Sequence, residues 1–260
     1  DRIFELSSGL KKYSSKIQTV LLPHGITLCS NRLLNNNNLF FDTERLIDKK
    51  MSKFDFVLLA DNMLNNIVTN KEKTENLREV VGSLRFSKEW LSQKEKLCLD
   101  GKEPPNENDK INILFFLPNF IGNIFIEEVF NVIRIVSSYK DFSFILQHRA
   151  GDGINYPKPL LQNNNIQWID SEFSSSALVN WSDVVINAVT TMHFECFQKN
   201  KIVIFPRYLT SNTAICELYD AGLILKNRDD LVMCFDNITN DFGKFKKSYE
   251  ERKKNTDLYL

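Results

Sequence analysis

The chain has 260 residues, 43% hydrophobic and 25% charged, with 33 lysines and arginines matched by 33 aspartates and glutamates. That size and balance fit one large or two smaller globular α/β domains, and the zero net charge excludes a chain-wide basic field for nucleic acid. No apolar run reaches the ~18 residues of a bilayer span, and no stretch has the composition of a signal peptide.

The predicted elements follow a rhythm of short apolar run, loop and amphipathic stretch. Candidate strands are QTVLL (18–22), DFVLLA (55–60), INILFFLP (111–118), FSFILQH (142–148), IQWID (166–170), DVVINA (183–188), KIVIF (201–205) and GLILK (222–226). All are rich in Val, Ile, Leu and Phe, as strands covered on both faces tend to be. Between them, 123–139 carries apolar residues at 126, 129, 130, 133 and 136, one face of a helix, and 212–222 ends on a glycine suited to a helix terminus. Strands alternating with helices imply βαβ units and a parallel sheet.

The polar, Pro-Pro-containing stretch CLDGKEPPNENDK (98–110) interrupts this rhythm and reads as a linker. Five or six βα units follow it to about residue 240, enough for one complete doubly wound domain. Only two or three strands precede it. The chain also begins at Asp1, not methionine, so the first domain is expected to be trimmed or unusually small. The tail 241–259 reads as a charged helix that either crosses the first domain or stays solvated. The five cysteines, Cys29, Cys98, Cys196, Cys216 and Cys234, form no CxxC pair and no zinc-ligand spacing, which suits reduced thiols in a cytoplasmic compartment. The asparagine runs at 35–38 and 163–165 read as loops.

In open parallel sheets ligands bind beyond the carboxyl ends of strands. Four segments stand there: LPHG (22–25), LPNFIGN (117–123), QHRAGDG (147–153) and NAVTTMHFE (187–195). Two of the chain's three histidines, His24 and His148, lie in these segments at strand ends. An imidazole there can act as a base near neutral pH, and Gly25 lets a ligand approach the backbone closely. Thr190 and Thr191 precede the helix MHFECFQK, where hydroxyls and free N–H groups either hold a phosphate or simply cap the helix. Glu195, one turn further, is a candidate acceptor for ribose hydroxyls, whereas His193 beside Phe194 reads as packed. Arg149 after His148 adds charge for a phosphate or sugar contact.

Taken in order, LPHG, VGSLRFSKEW (81–90), FILQH (144–148) and WSDVVINAVTTMHFECFQKNKIVIFPRY (181–208) resemble the GT-B-fold glycosyltransferases. Within them, the likeness is to the CDP-glycerol glycerophosphotransferase (teichoic-acid polymerase) group and related capsular and surface-polysaccharide transferases. The resemblance implies an α/β, GT-B-like fold with two Rossmann-like domains and parallel sheets, the first domain partial or shortened. Residues 1–81 would form a partial acceptor-side domain, 82–110 an interdomain segment and linker, 111–240 the nucleotide-donor-binding domain, and 241–260 a C-terminal helix. His24 would be the catalytic base at the interdomain cleft, removing the acceptor proton. Arg85, His148, Thr190, Thr191 and Glu195 would hold the donor, the first four at its phosphates and Glu195 at the ribose. Two departures stand out: Arg149 follows His148 where the family has proline, and Asn187 replaces an aspartate.

The function these expectations imply is transfer of a sugar or polyol-phosphate from a nucleotide-sugar or CDP-polyol donor to a glycan or lipid-linked acceptor. No metal and no cofactor is expected, the activated donor being a substrate, and no nucleic acid is a partner. The expected location is the cytoplasm or the inner face of its membrane; the basic run KFKK (244–247) is too short to decide peripheral membrane association. Two other readings stay open: a nucleotide-sugar epimerase of the same fold, and a non-catalytic glycan- or nucleotide-binding module.

Overall fold

Strands made almost wholly of Val, Ile, Leu and Phe cannot leave either face in water, so helices must cover both. The computed structural model describes residues 9–14, 16–22, 54–59, 77–98, 104, 109–118, 124–148, 166–169, 173–188, 190, 192–211, 217 and 220–254. The chain divides into a first unit running through Trp90 and a second from Leu91 to Leu258.

The first unit contains three parallel strands, β1 (Val20–Leu21), β2 (Phe56–Leu59) and β3 (Leu77–Val80), in the order β1-β2-β3. Asp55 ties the start of β2 to β1: its carboxylate accepts from the Thr19 N–H at 2.8 Å and the Thr19 hydroxyl at 3.0 Å, and pairs with Lys11 at 2.9 Å. The Lys11 hydrogen bond, with those from Thr19, holds the Asp55 carboxyl down at about 2. Strand β3 has no counterpart among the sequence-predicted strands, because Arg78 and Glu79 in LREV hide its apolar signal. A 3-10 turn (Leu84–Phe86) and helix α1 (Lys88–Cys98) follow. Helix α1 occupies the segment expected to be interdomain chain.

In the second unit, β4 (Ile111–Phe116), β5 (Phe142–Gln147), β6 (Ile166–Ile169), β7 (Val184–Asn187), β8 (Ile202–Pro206) and β9 (Leu223–Leu225) form one parallel sheet. Its order is β6-β5-β4-β7-β8-β9, the doubly wound arrangement in which the chain reverses direction across the sheet beside β4. One face carries Ile113, Phe115, Phe144, Leu146, Val184, Ile186, Ile202 and Ile204 into the main core. Helices α2 (Ile126–Ser137) and α5 (Arg228–Asn240) cover that face, α2 through the buried stripe Val129, Phe130, Val132, Ile133 and Val136. Helices α3 (Ser175–Trp181) and α4 (Met192–Gln198) pack on the other face, reached by Gln147 and Asn187 from β5 and β7.

Short-range chemistry sets the helix limits. The Ser174 hydroxyl accepts the Ala177 N–H at 3.1 Å to start α3, and the Asn227 side chain accepts the Asp230 N–H at 2.8 Å to start α5. Helix α6 (Phe242–Lys254) is fastened to the second unit along one side. Its Phe242 and Phe245 pack on the second unit's core, and the buried Tyr249 hydroxyl accepts the Val203 N–H at 3.1 Å. Lys253 lies 4.5 Å from the centre of the Phe197 ring and donates to the Phe197 carbonyl.

Gly222 makes the close approach that lets β9 join β8. Its φ is +112°, and a Cβ there would sit 2.8 Å from the Val203 carbonyl oxygen and 3.3 Å from the His193 Nε2. Gly222→Ala is therefore expected to cost about 2 kcal/mol, from left-handed backbone strain plus a backbone clash. A urea melt of the variant checks this, and an unchanged midpoint would show that β9 can move away freely.

Candidate functional site

The crevice of a doubly wound sheet lies where chain direction reverses, beyond the carboxyl ends of its central strands. Here β5, β4 and β7 end level with one another, since Phe116 pairs in register with Gln147 on one side and Asn187 on the other. β5 and β7 therefore finish about 10 Å apart, two strand spacings, with β4 between them. Three polar side chains stand at this edge. Gln147 and Asn187 point to the α3/α4 face, where the Gln147 Nε2 donates to the Ser175 hydroxyl at 3.2 Å and the Asn187 Nδ2 lies 4.0 Å from the Cys196 sulfur. Their side-chain carbonyl oxygens, Gln147 Oε1 and Asn187 Oδ1, are enclosed without a hydrogen-bond partner among the described residues. His148, half-buried, comes next after Gln147 and donates its backbone N–H to the Ile169 carbonyl at 3.1 Å.

Thr190 follows β7 at the same edge. Its Oγ1 accepts the Met192 N–H at 3.3 Å and its carbonyl accepts the His193 N–H at 3.2 Å, so it caps α4. Capping uses an acceptor lone pair only. The hydroxyl proton, with no acceptor among the described residues, remains available to a ligand. The second unit thus brings His148 and Thr190 to one edge of one sheet. Arg85 belongs to the first unit, in the 3-10 turn after β3, with its guanidinium carbon 5.7 Å from the Phe86 ring centre. His24 and Thr191 lie outside the described residues.

Glu195 does not stand free for a ribose. It is 1% exposed, its Oε1 accepts the Ser176 hydroxyl at 2.7 Å, and its Oε2 pairs with Lys94 at 2.8 Å. Lys199 lies 3.9 Å away on the next turn. Both oxygens bind α4 to α3 and α1, through partners that position alone does not suggest. The reason is distance in sequence: Lys94 lies 101 residues before Glu195, and no local pattern announces the pair.

His193 packs as its apolar neighbours suggest. It is 2% exposed, and its ring Nε2 bonds the Ala221 carbonyl. A carbonyl can only accept, so Nε2 carries the proton in the neutral ring. Burial pushes its pKa down to about 4. Burial likewise raises the Cys196 thiol, and the Cys234 thiol to about 12, leaving both protonated. The described residues hold no group of three His, Cys, Asp or Glu side chains placed to bind a metal. No helix among them is long and apolar enough to cross a membrane.

The sequence matches no protein-family model and no curated protein. Solved structures match over most of its length. The wall teichoic acid polymerase TagF superposes with a TM-score of 0.56 at 14% identity, over 91% of this chain and 62% of its own. Anabaena HepE, in complex with UDP and glucose, gives 0.55 at 12% identity, over 94% of this chain and 68% of its own. A Listeria monocytogenes protein provisionally described as a UDP-N-acetylglucosamine 2-epimerase gives 0.61 at 12% identity, over 96% and 73%. The chain therefore spans less than two thirds of the teichoic acid polymerase. By the order of its strands and the extent of these superpositions, this chain has the GT-B fold.

Proposed function

We propose that the chain transfers a sugar or polyol-phosphate from a nucleotide-activated donor to a surface-glycan acceptor, with the second unit binding the nucleotide. The observation that carries this reading is the direction reversal beside β4, flanked by His148 at the end of β5 and the Thr190 hydroxyl after β7. Such an edge, with one imidazole and one free hydroxyl proton, suits the oxygens of a diphosphate. The complexes of neighbouring folds with UDP support the same class of ligand.

In this reading His24 takes the proton from the acceptor hydroxyl as the acceptor oxygen forms its new bond. The bond to the nucleotide phosphate breaks, and its electrons leave with the nucleotide. Hydrogen bonds from His148 and Thr190 offset the negative charge gathering on that phosphate.

Calorimetric titration with CDP, UDP, CDP-glycerol and UDP-hexoses tests the binding half. One nucleotide series is expected to bind, and Thr190→Val to weaken it about tenfold by losing a hydrogen bond to a charged group. Thr190→Ser should retain affinity, because the hydroxyl survives. No binding by any nucleotide, or equal binding by the valine variant, would remove the assignment. His24→Ala is expected to abolish transfer while leaving nucleotide affinity intact. The Listeria neighbour motivates a second reading as an epimerase; release of epimerised sugar from UDP-N-acetylglucosamine without any acceptor would select it.

A further inference from the structure

A pocket of about 730 Å³ opens in the second unit where the first turns of α2 and α5 meet the turn after β8. Its frame is built by contacts between segments distant in sequence. Ile124 bridges Thr210, and the Phe125 N–H donates to the Leu209 carbonyl at 2.9 Å, fixing the start of α2 to the turn after β8. Arg228 at the start of α5 reaches Glu128 on α2 through two hydrogen bonds, at 2.8 and 2.6 Å. The walls are apolar and open: Phe125 is 50% exposed and Ile126 43%. Beneath them the Tyr208 hydroxyl is enclosed, with no hydrogen-bond partner among the described residues. Leaving a buried hydroxyl unmet is costly, so a ligand that draws it into the pocket and supplies its partner relieves that cost.

The lining charges decide the class of ligand. Glu127 and Glu128 balance Lys226 and Arg228. Arg228 is already committed to Glu128, and the first turns of both helices are acidic, with Glu127 and Glu128 on α2 and Asp229 and Asp230 on α5. Those carboxylates cancel the positive helix ends that would otherwise draw an anion. A purely apolar ligand would bury the charged rim without satisfying it. What remains is an uncharged molecule with an apolar face for the Phe125 ring and several hydroxyls that donate to carboxylates and accept from Lys226, Arg228 and Tyr208. We propose that this pocket binds a neutral saccharide unit, at a site separate from the crevice beside β4. The assignment does not depend on the nucleotide reading, since none of its residues is used there.

Saturation-transfer NMR on the whole chain, with maltose, cellobiose, lactose and N,N′-diacetylchitobiose as neutral probes and glucose 1-phosphate as the charged one, tests it. Transfer to the ring C–H groups of at least one neutral disaccharide is expected, undiminished by excess UDP. Phe125→Ala and Arg228→Ala should each weaken it about tenfold, or 1.4 kcal/mol. Both side chains are half-exposed, and unchanged circular dichroism melts would confirm that the variants fold. No transfer to any of the four, equal transfer in both variants, displacement by UDP, or preference for glucose 1-phosphate would each overturn the proposal. Nucleotide titration of the same samples reports separately on the crevice, so the two assignments can fail independently.

Discussion

Glu195→Ala is expected to lower the stability of the second unit by about 3 kcal/mol, the scale found when one partner of a buried ion pair is removed. The substitution leaves the Ser176 hydroxyl, 1% exposed, without its acceptor. It also strips Lys199, whose side chain is 11% exposed, of its nearest buried counter-charge. Lys94 suffers less, because at 29% exposure its ammonium can turn to water. Glu195→Gln should fall between the two, keeping an acceptor for Ser176 while losing the charge that Lys94 answers. For a unit of this size the alanine variant's melting point should drop by about 6–12 °C, read from urea and thermal melts followed by the fluorescence of Trp181. The same pair of variants separates two roles that position alone confuses. A stable alanine variant with weakened nucleotide affinity would restore Glu195 to the ribose; a destabilised one that still binds when folded confirms the brace.

The second large effect is a pH dependence set by His193. Its ring is neutral in the folded protein down to about pH 4, whereas an unfolded histidine takes up a proton near pH 6.5. Between those values the unfolded chain binds more protons, so stability rises with pH through this window and is fully present above it. The depression from 6.5 to about 4 corresponds to about 3 kcal/mol at full extent. The wild-type protein should therefore lose most of this increment on acidification from pH 6.5 to 4. His193→Gln, which keeps an N–H donor for the Ala221 carbonyl but cannot protonate, should show a flatter profile. Parallel slopes for the two proteins over that range would mean that the imidazole opens to water before the unit unfolds.

These two residues also mark how far local pattern carries. His193 beside Phe194 reads as a packed histidine because apolar neighbours on a short helix leave it nowhere wet to go. Glu195 reads as a ligand contact because its offset from Thr191 suggests one, and only the fold shows Lys94 and Ser176 waiting beside it. The same contrast runs through the elements. β4, β5, β7 and β8 are legible as short runs dominated by Val, Ile, Leu and Phe, the composition of a strand covered on both faces. β3 is not, because two charged residues in four suffice to hide its period. Helix α6 reads as a charged tail, yet Phe242, Phe245 and Tyr249, spaced three and four apart, are enough to fasten it to the core.

By itself the sequence determined the class of fold: alternating apolar runs and amphipathic stretches can only bury themselves as a parallel sheet between helices. It also placed His148 and Thr190 at strand ends, because a strand stops where its apolar run stops. Tertiary structure alone decided what stands next to what. The order β6-β5-β4-β7-β8-β9 brings His148 and Thr190 to one edge, the Lys94 bridge ties Glu195 to α1, and the meeting of α2, α5 and the turn after β8 makes a pocket beside Tyr208. Periodicity records how each segment meets water, whereas these contacts join residues up to 101 positions apart, whose pairing depends on chain reversal and leaves no trace in either segment alone.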